Sequence, residues 1–60
     1  MDSEFTVRFD MTNGAFIDYP NQEVGDILDK IKYQFMGGKQ SGVIQDSNGN
    51  TIGTWGVTSE

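Results

Sequence analysis

Residues 21–38 read NQEVGDILDKIKYQFMGG, and this stretch carries the strongest secondary-structure pattern in the chain. Its apolar residues recur at the three- and four-residue spacing that forms one stripe along an α-helix. The stripe consists of Val24, Ile27, Leu28, Ile31 and Phe35. Asn21 is a natural N-cap residue, and Gly37 with Gly38 is typical of a helix C-terminus. The sequence therefore predicts one helix over 21–38.

The residues before this helix show the pattern of a β-hairpin. Apolar residues alternate with polar ones over 5–11, which is typical of a half-buried strand. Asn13-Gly14 is a strong hairpin-turn signal, and 15–19 follows as a return strand. A three-residue loop, rather than a two-residue loop, places apolar residues opposite one another on one face. We therefore expect the three-residue loop, with Phe16 on the outer face of the sheet.

The residues after the helix predict a second hairpin. Two strands, 40–46 and 50–57, flank a turn with the composition Asp-Ser-Asn-Gly. Pairing Asp46 with Asn50 places Ile44 and Ile52 on one face, and the other face receives Val43, Trp55 and Val57. Neither face is polar, so apolar surface remains after one helix has covered the sheet. Such surface often marks an interaction site.

Together these patterns predict an α+β fold in one domain, residues 1–60. The expected element order is β-β-α-β-β, with a four-stranded antiparallel sheet in the spatial order 2-1-3-4 and the helix packed on one face. A domain of this size buries only ~60% of its unfolded surface and usually needs an additional source of stability. The sequence contains no cysteine or histidine, which disfavours a disulfide or a metal site. We therefore expect a homodimer, formed through the outer face or a sheet edge.

The charge balance bears on the kind of partner. Nine acidic and four basic residues give a net charge of −5. Because phosphate backbones are bound mainly by lysine and arginine, direct nucleic-acid binding is disfavoured. A protein partner with a basic surface is more compatible with this charge. The sequence also shows no signal peptide and no apolar stretch of membrane-spanning length, so we expect a cytoplasmic protein.

No residue pattern predicts catalysis or a cofactor, and we do not expect an enzyme. The serines have no histidine to activate them, and no glycine-rich phosphate loop is present. The segment that begins at Asp46 superficially resembles a calcium-binding loop. However, Thr51 stands where that loop requires glycine, and Val57 stands where it requires an acidic residue. A hairpin turn explains the same residues without a metal.

Five residues are candidates for partner binding. Two are acidic residues on the predicted solvent face of the helix and three are aromatic. They are Phe16, Asp26, Asp29, Tyr33 and Trp55. Each has a structural alternative, since a single tryptophan often lies in the core and acidic residues often only solvate a helix.

These observations favour a small acidic, non-catalytic protein-binding module, an inhibitor or adaptor that occludes a surface of a larger partner. In size, acidity and simple architecture, the chain resembles the small inhibitors and accessory proteins that phages and mobile elements encode. Some of those proteins act as nucleic-acid mimics. The alternative is a dimeric nucleic-acid-binding protein that uses sheet aromatics with scattered basic residues such as Arg8 and Lys39.

Overall fold

The computed structural model describes residues 2–59, which form three antiparallel strands and one long helix. In chain order the elements are β1 (Ser3–Phe9), a short 3-10 turn (Gly14–Phe16), α1 (Pro20–Met36), β2 (Ser41–Gln45) and β3 (Thr51–Ser59). The strand order is β1-β3-β2, so β3 is central and the other two strands are edges. The expected α+β class is compatible with this architecture. The expected four-stranded sheet in the order 2-1-3-4 is wrong.

The predicted first hairpin does not form, because residues 10–19 fold as an irregular segment around the 3-10 turn. The Asn13 side-chain oxygen accepts a hydrogen bond from the Ala15 N–H at 3.2 Å, which caps this turn. Gly14 does not adopt the positive φ that the predicted loop requires. The Phe16 side chain is only 6% exposed and stacks on Phe9 with 6.1 Å between the ring centroids. The prediction that Phe16 lies on an outer face is therefore wrong.

The partner of β1 is β3, from the other end of the chain. In the observed register Phe5 lies opposite Val57, and Val7 lies opposite Trp55. Further along, Phe9 lies opposite Gly53. Long-range strand pairing with a buried aromatic core therefore replaces the local hairpin that the turn residues suggested.

The second hairpin forms where the sequence predicts it, but in a different register. The Asp46 N–H donates to the Asn50 carbonyl oxygen at 2.9 Å, and Gly49 has a φ of +85°. A register irregularity after Ile44 places that residue opposite Gly53 rather than opposite Ile52. A one-residue shift moves a side chain to the other face of a sheet. Ile44 therefore shares the buried face with Trp55, and the prediction that they lie on opposite faces is wrong.

Helix α1 begins and ends close to the predicted limits. Pro20 lies in its first turn, where the missing N–H is not needed, and the preceding residue, Tyr19, makes no side-chain cap. The expected N-cap at Asn21 is therefore wrong. At the other end the Gly37 N–H donates to the Tyr33 carbonyl oxygen at 3.0 Å, and Gly38 has a φ of +107°.

The buried side of α1 is rotated relative to its apolar stripe. Ile27 and Ile31 are 2% and 5% exposed and form its centre. Glu23, which is polar, is also buried, whereas Leu28 and Phe35 remain 48% and 41% exposed. The burial of Glu23 is tolerated because its carboxylate accepts a hydrogen bond from a backbone N–H at 2.8 Å.

This rotation gives a stability prediction. Ile31→Ala removes a fully packed side chain and should lower the free energy of unfolding by about 2–5 kcal/mol. Leu28→Ala on the neighbouring flank should cost about 1 kcal/mol or less, since that side chain is half exposed. Urea denaturation of the two variants measures the difference, and equal losses would contradict the observed helix orientation.

A second prediction concerns the contact between β1 and β3. A Cβ atom at Gly53 would overlap the Arg8 carbonyl oxygen and lie 2.6 Å from the Cα atom of Phe9. Gly53→Ala should therefore strongly destabilise the fold or prevent folding. Gly25→Ala is the matched control, because a Cβ atom there meets nothing within 4 Å. That helical substitution should raise the free energy of unfolding by about 0.5–1 kcal/mol. Circular dichroism during urea unfolding distinguishes the two outcomes, and a harmless alanine at Gly53 would contradict the strand pairing.

Candidate protein-binding surface

The solvent-facing side of α1 brings together three of the five residues that the sequence predicts for partner binding, Asp26, Asp29 and Tyr33. We define the outer helix face as Asp26, Asp29, Tyr33 and Met36, which recur at three- and four-residue spacing on one side of the helix. All four are exposed, and Tyr33 and Met36 are 68% and 77% exposed. This face therefore combines two carboxylates with two large apolar side chains.

Neighbouring residues on the same helix contact two members of this face. The Gln22 side-chain amide donates to the Asp26 carboxylate at 2.9 Å. The Lys32 ammonium lies 5.0 Å from the centroid of the Tyr33 ring, within cation–π distance. Both contacts are local, and most of the Tyr33 side chain stays open to solvent.

The other two predicted residues, Phe16 and Trp55, lie in the core. Trp55 is 3% exposed, and its indole N–H donates to the side-chain oxygen of Gln34 at 3.1 Å. Its ring also contacts Phe5 and Phe35, with centroid distances of 5.7 and 6.2 Å. Neither Trp55 nor Phe16 offers a partner appreciable surface, so the candidate surface is the outer helix face alone.

A shallow groove lies between α1 and β2. Its volume is about 190 Å³, below the ~300–1,000 Å³ that is usual for small-molecule sites. Its lining consists of Ile27, Lys30, Ile31, Gln34, Val43, Ile44 and Gln45. Only one of these side chains, Lys30, is charged.

A buried carboxylate, Asp46, organises the turn between β2 and β3. One of its oxygens accepts from the backbone N–H groups of Asn48 and Asn50, each at 2.9 Å. The other accepts from the side-chain amides of Asn50, at 3.3 Å, and of Asn13. The bond from Asn13 ties the irregular segment before α1 to this turn. The carboxylate is therefore surrounded by N–H donors, which supports the turn interpretation over the calcium-loop one.

These contacts change the pKa of Asp46. Burial alone raises the pKa of this carboxyl, because it disfavours the charged form. The hydrogen bonds from Asn50, Asn48 and Asn13 act in the opposite direction and together hold the pKa below its ordinary value. The carboxylate stays ionised because the four hydrogen bonds that it accepts favour its charged form.

Sequence reasoning found part of this arrangement and missed part. The Asp-Ser-Asn-Gly composition predicts the turn, and helical spacing predicts the outer helix face. The hydrogen bond from the Ser47 N–H to the Glu23 carboxylate joins residues 24 positions apart. The bond from Asn13 to Asp46 joins residues 33 positions apart, and no local signal predicts either contact.

The face of the sheet that points away from α1 is mostly polar. Strand alternation and the observed register place on it Glu4, Thr6, Arg8, Val43, Thr54 and Thr58. Arg8 is its only basic residue within the three strands, and the strand aromatics, Phe5, Phe9 and Trp55, point to the helix-covered side. The strand aromatics and Arg8 therefore lie on opposite faces of the sheet.

No family model, curated protein or solved structure matches this chain. Within residues 2–59, no helix is long and apolar enough to cross a membrane.

The buried turn carboxylate leads to a prediction about acid stability. Because the pKa of Asp46 is lowered in the folded state, its stabilising contribution is complete above the ordinary value of 3.8 and is lost as the pH falls below it. The pKa of Asp10 is also lowered, by hydrogen bonds from the Thr12 side chain and backbone. The stabilising contribution of Asp10 is therefore also lost as the pH falls. Asp46→Asn should therefore be less stable than the wild type at neutral pH and lose less stability on acidification.

Urea midpoints measured between pH ~2 and ~6 test this expectation. Asp29→Asn makes the same change of charge on the outer helix face and is the matched control. If Asp46→Asn and Asp29→Asn gave the same pH profile, the turn carboxylate would not carry the effect.

Proposed function

We propose that this protein is a small acidic, non-catalytic protein-binding module that occludes a surface of a larger partner through its outer helix face. The observation that carries the proposal is the exposure of Tyr33 and Met36 on the same side of a regular helix as two carboxylates. Large exposed apolar side chains are the anchors of many protein interfaces, and tyrosine is enriched among the residues that dominate binding energy.

The charge of this face indicates the chemistry of the partner. Asp26 and Asp29 are two of the nine acidic residues that give the chain its net charge of −5. Opposite charge on the partner speeds association and suppresses wrong partners. We therefore expect a partner that presents a basic surface with an apolar pocket for Tyr33.

The size of the molecule fits a role in occlusion. A standard interface takes about 800 Å² from each partner. The whole chain has 4475 Å² of accessible surface, so an interface of that size would use roughly a fifth of it. A helix of 17 residues is about 25 Å long and presents its outer face along one side of the molecule. Binding through this side would place the sheet behind the helix as a rigid support.

Photochemical cross-linking tests the proposal in extracts of the source cell. A photoreactive phenylalanine analogue at Tyr33 should give a protein adduct that resists nuclease. The same analogue at Thr58, on the far side of the sheet, is the matched control. The Tyr33 adduct should diminish when Asp26 and Asp29 are both replaced by lysine. Equal adducts at both positions, or an adduct that nuclease removes, would overturn the proposal.

Once that partner is purified, the affinity gives a quantitative prediction. Replacement of Tyr33 and Asp29 by alanine should together weaken binding by about 2 kcal/mol or more, which is roughly 30-fold. Stability should change little, because both side chains are exposed. Isothermal titration calorimetry measures the affinity, with Gln40→Ala as an exposed control outside the helix. Unchanged affinity in the double variant would remove the outer helix face from the interface.

A further inference from the structure

Strand β1 has an open edge. It pairs with β3 along one side over all seven of its residues, and no strand within residues 2–59 lies along its other side. Five of its residues are exposed, and the remaining two, Val7 and Phe9, are only half-buried. A regular edge of this length is a template for pairing with another strand unless something covers it.

The direction of the unpaired backbone groups follows from one hydrogen bond. The Asp10 N–H donates to the Ile52 carbonyl oxygen at 3.0 Å, immediately beyond the register that pairs Phe9 with Gly53. In an antiparallel pair, hydrogen-bonded and non-hydrogen-bonded positions alternate. The even-numbered residues of β1 therefore direct their backbone groups to β3. The odd-numbered residues direct theirs to the open edge, and these are Ser3, Phe5, Val7 and Phe9.

We propose that two copies of this chain pair through their β1 strands, antiparallel, with Thr6 of one copy opposite Thr6 of the other. This register overlaps the whole of Ser3–Phe9, because Ser3 then lies opposite Phe9 of the second copy. The odd-numbered residues face one another and exchange main-chain hydrogen bonds. Three strands from each copy form one continuous six-stranded sheet around a two-fold axis.

The charges on β1 are self-complementary in this register. Glu4 of each copy lies opposite Arg8 of the other, on the face away from the helices. These are non-hydrogen-bonded positions, where opposing side chains come closest. A shift by two residues in one direction places Glu4 opposite Asp10, which is repulsive. A shift in the other direction pairs Arg8 with Asp2 but leaves Glu4 opposite Thr6, and either shift shortens the strand overlap.

An apolar flank beside the same edge adds burial to this pairing. Phe5 and Leu28 are each 48% exposed and Phe35 is 41% exposed, and the rings of Phe5 and Phe35 meet edge to face at 5.1 Å. A two-fold axis through paired β1 strands places both helices on one side of the sheet. The flanks of the two copies then face each other across the axis. This contact supplies burial that a 60-residue chain lacks alone.

Charge reversal at Glu4 and Arg8 tests the proposal on the full-length chain. The wild type should sediment as a dimer. Glu4→Arg alone places two arginines opposite each other, and Arg8→Glu alone places two glutamates opposite each other. Each single variant should weaken homodimerisation by on the order of tenfold or more. The double variant restores complementary pairs and should regain the dimer.

Mixing the two single variants gives the most specific outcome. Every cross-strand charge pair in the mixed species is complementary, so the two variants should form a heterodimer in preference to either homodimer. This result also shows that both variants fold. Lys30→Glu, on an exposed position of α1, is the matched control that should leave the dimer unchanged.

Three outcomes would overturn the proposal. The first is a wild-type chain that remains monomeric up to ~1 mM, where even millimolar self-association would be visible. The second is a dimer that neither single reversal weakens, which would place the contact at β2 or on the outer helix face. The third is a mixture of the two single variants that shows no preference for the heterodimer.

Discussion

The hydrogen bond between Trp55 and Gln34 lies at the point where all the regular elements meet. Trp55 belongs to the central strand and contacts Phe5 of β1 and Phe35 of α1. Its indole also lies over Gly42 of β2. A Cβ atom at Gly42 would lie 2.7 Å from the indole nitrogen. A buried indole N–H needs an acceptor. The acceptor is on the helix, so this requirement favours the rotation of α1 that turns Gln34 inward.

The rotation of α1 divides its apolar residues between the core and the surface. Ile27 and Ile31 fill the core, whereas Leu28 and Phe35 form a half-exposed flank beside the open edge of β1. The opposite side of the helix carries Tyr33 with the acidic residues. One orientation of one helix therefore produces two different surfaces, an apolar flank beside the β1 edge and an acidic outer helix face with Tyr33.

The sequence predicted the elements whose signals are local. Helical periodicity located α1, and turn composition located the hairpin at 46–49. Local signals are misleading at 10–19, where Asn13-Gly14 is typical of a hairpin turn but a 3-10 turn forms instead. That turn chemistry is compatible with more than one local structure, and the choice depends on where Phe16 is buried. Strand β1 pairs with β3, which lies more than forty residues away, and no local pattern predicts that pairing.

The chain by itself thus determined the helix, the second turn and the acidic, aromatic composition of the outer helix face, because each depends on residues within a few positions of one another. Only the tertiary structure decided which strands pair, which side of α1 is buried and which aromatics remain exposed. Those choices depend on packing between distant residues. Gly53 has no Cβ atom, which allows the β1 backbone to approach closely. Phe16 and Trp55 fill the core, and Asp46 joins two loops through its hydrogen bond from Asn13. Burial and long-range hydrogen bonding therefore selected among structures that the local sequence left open.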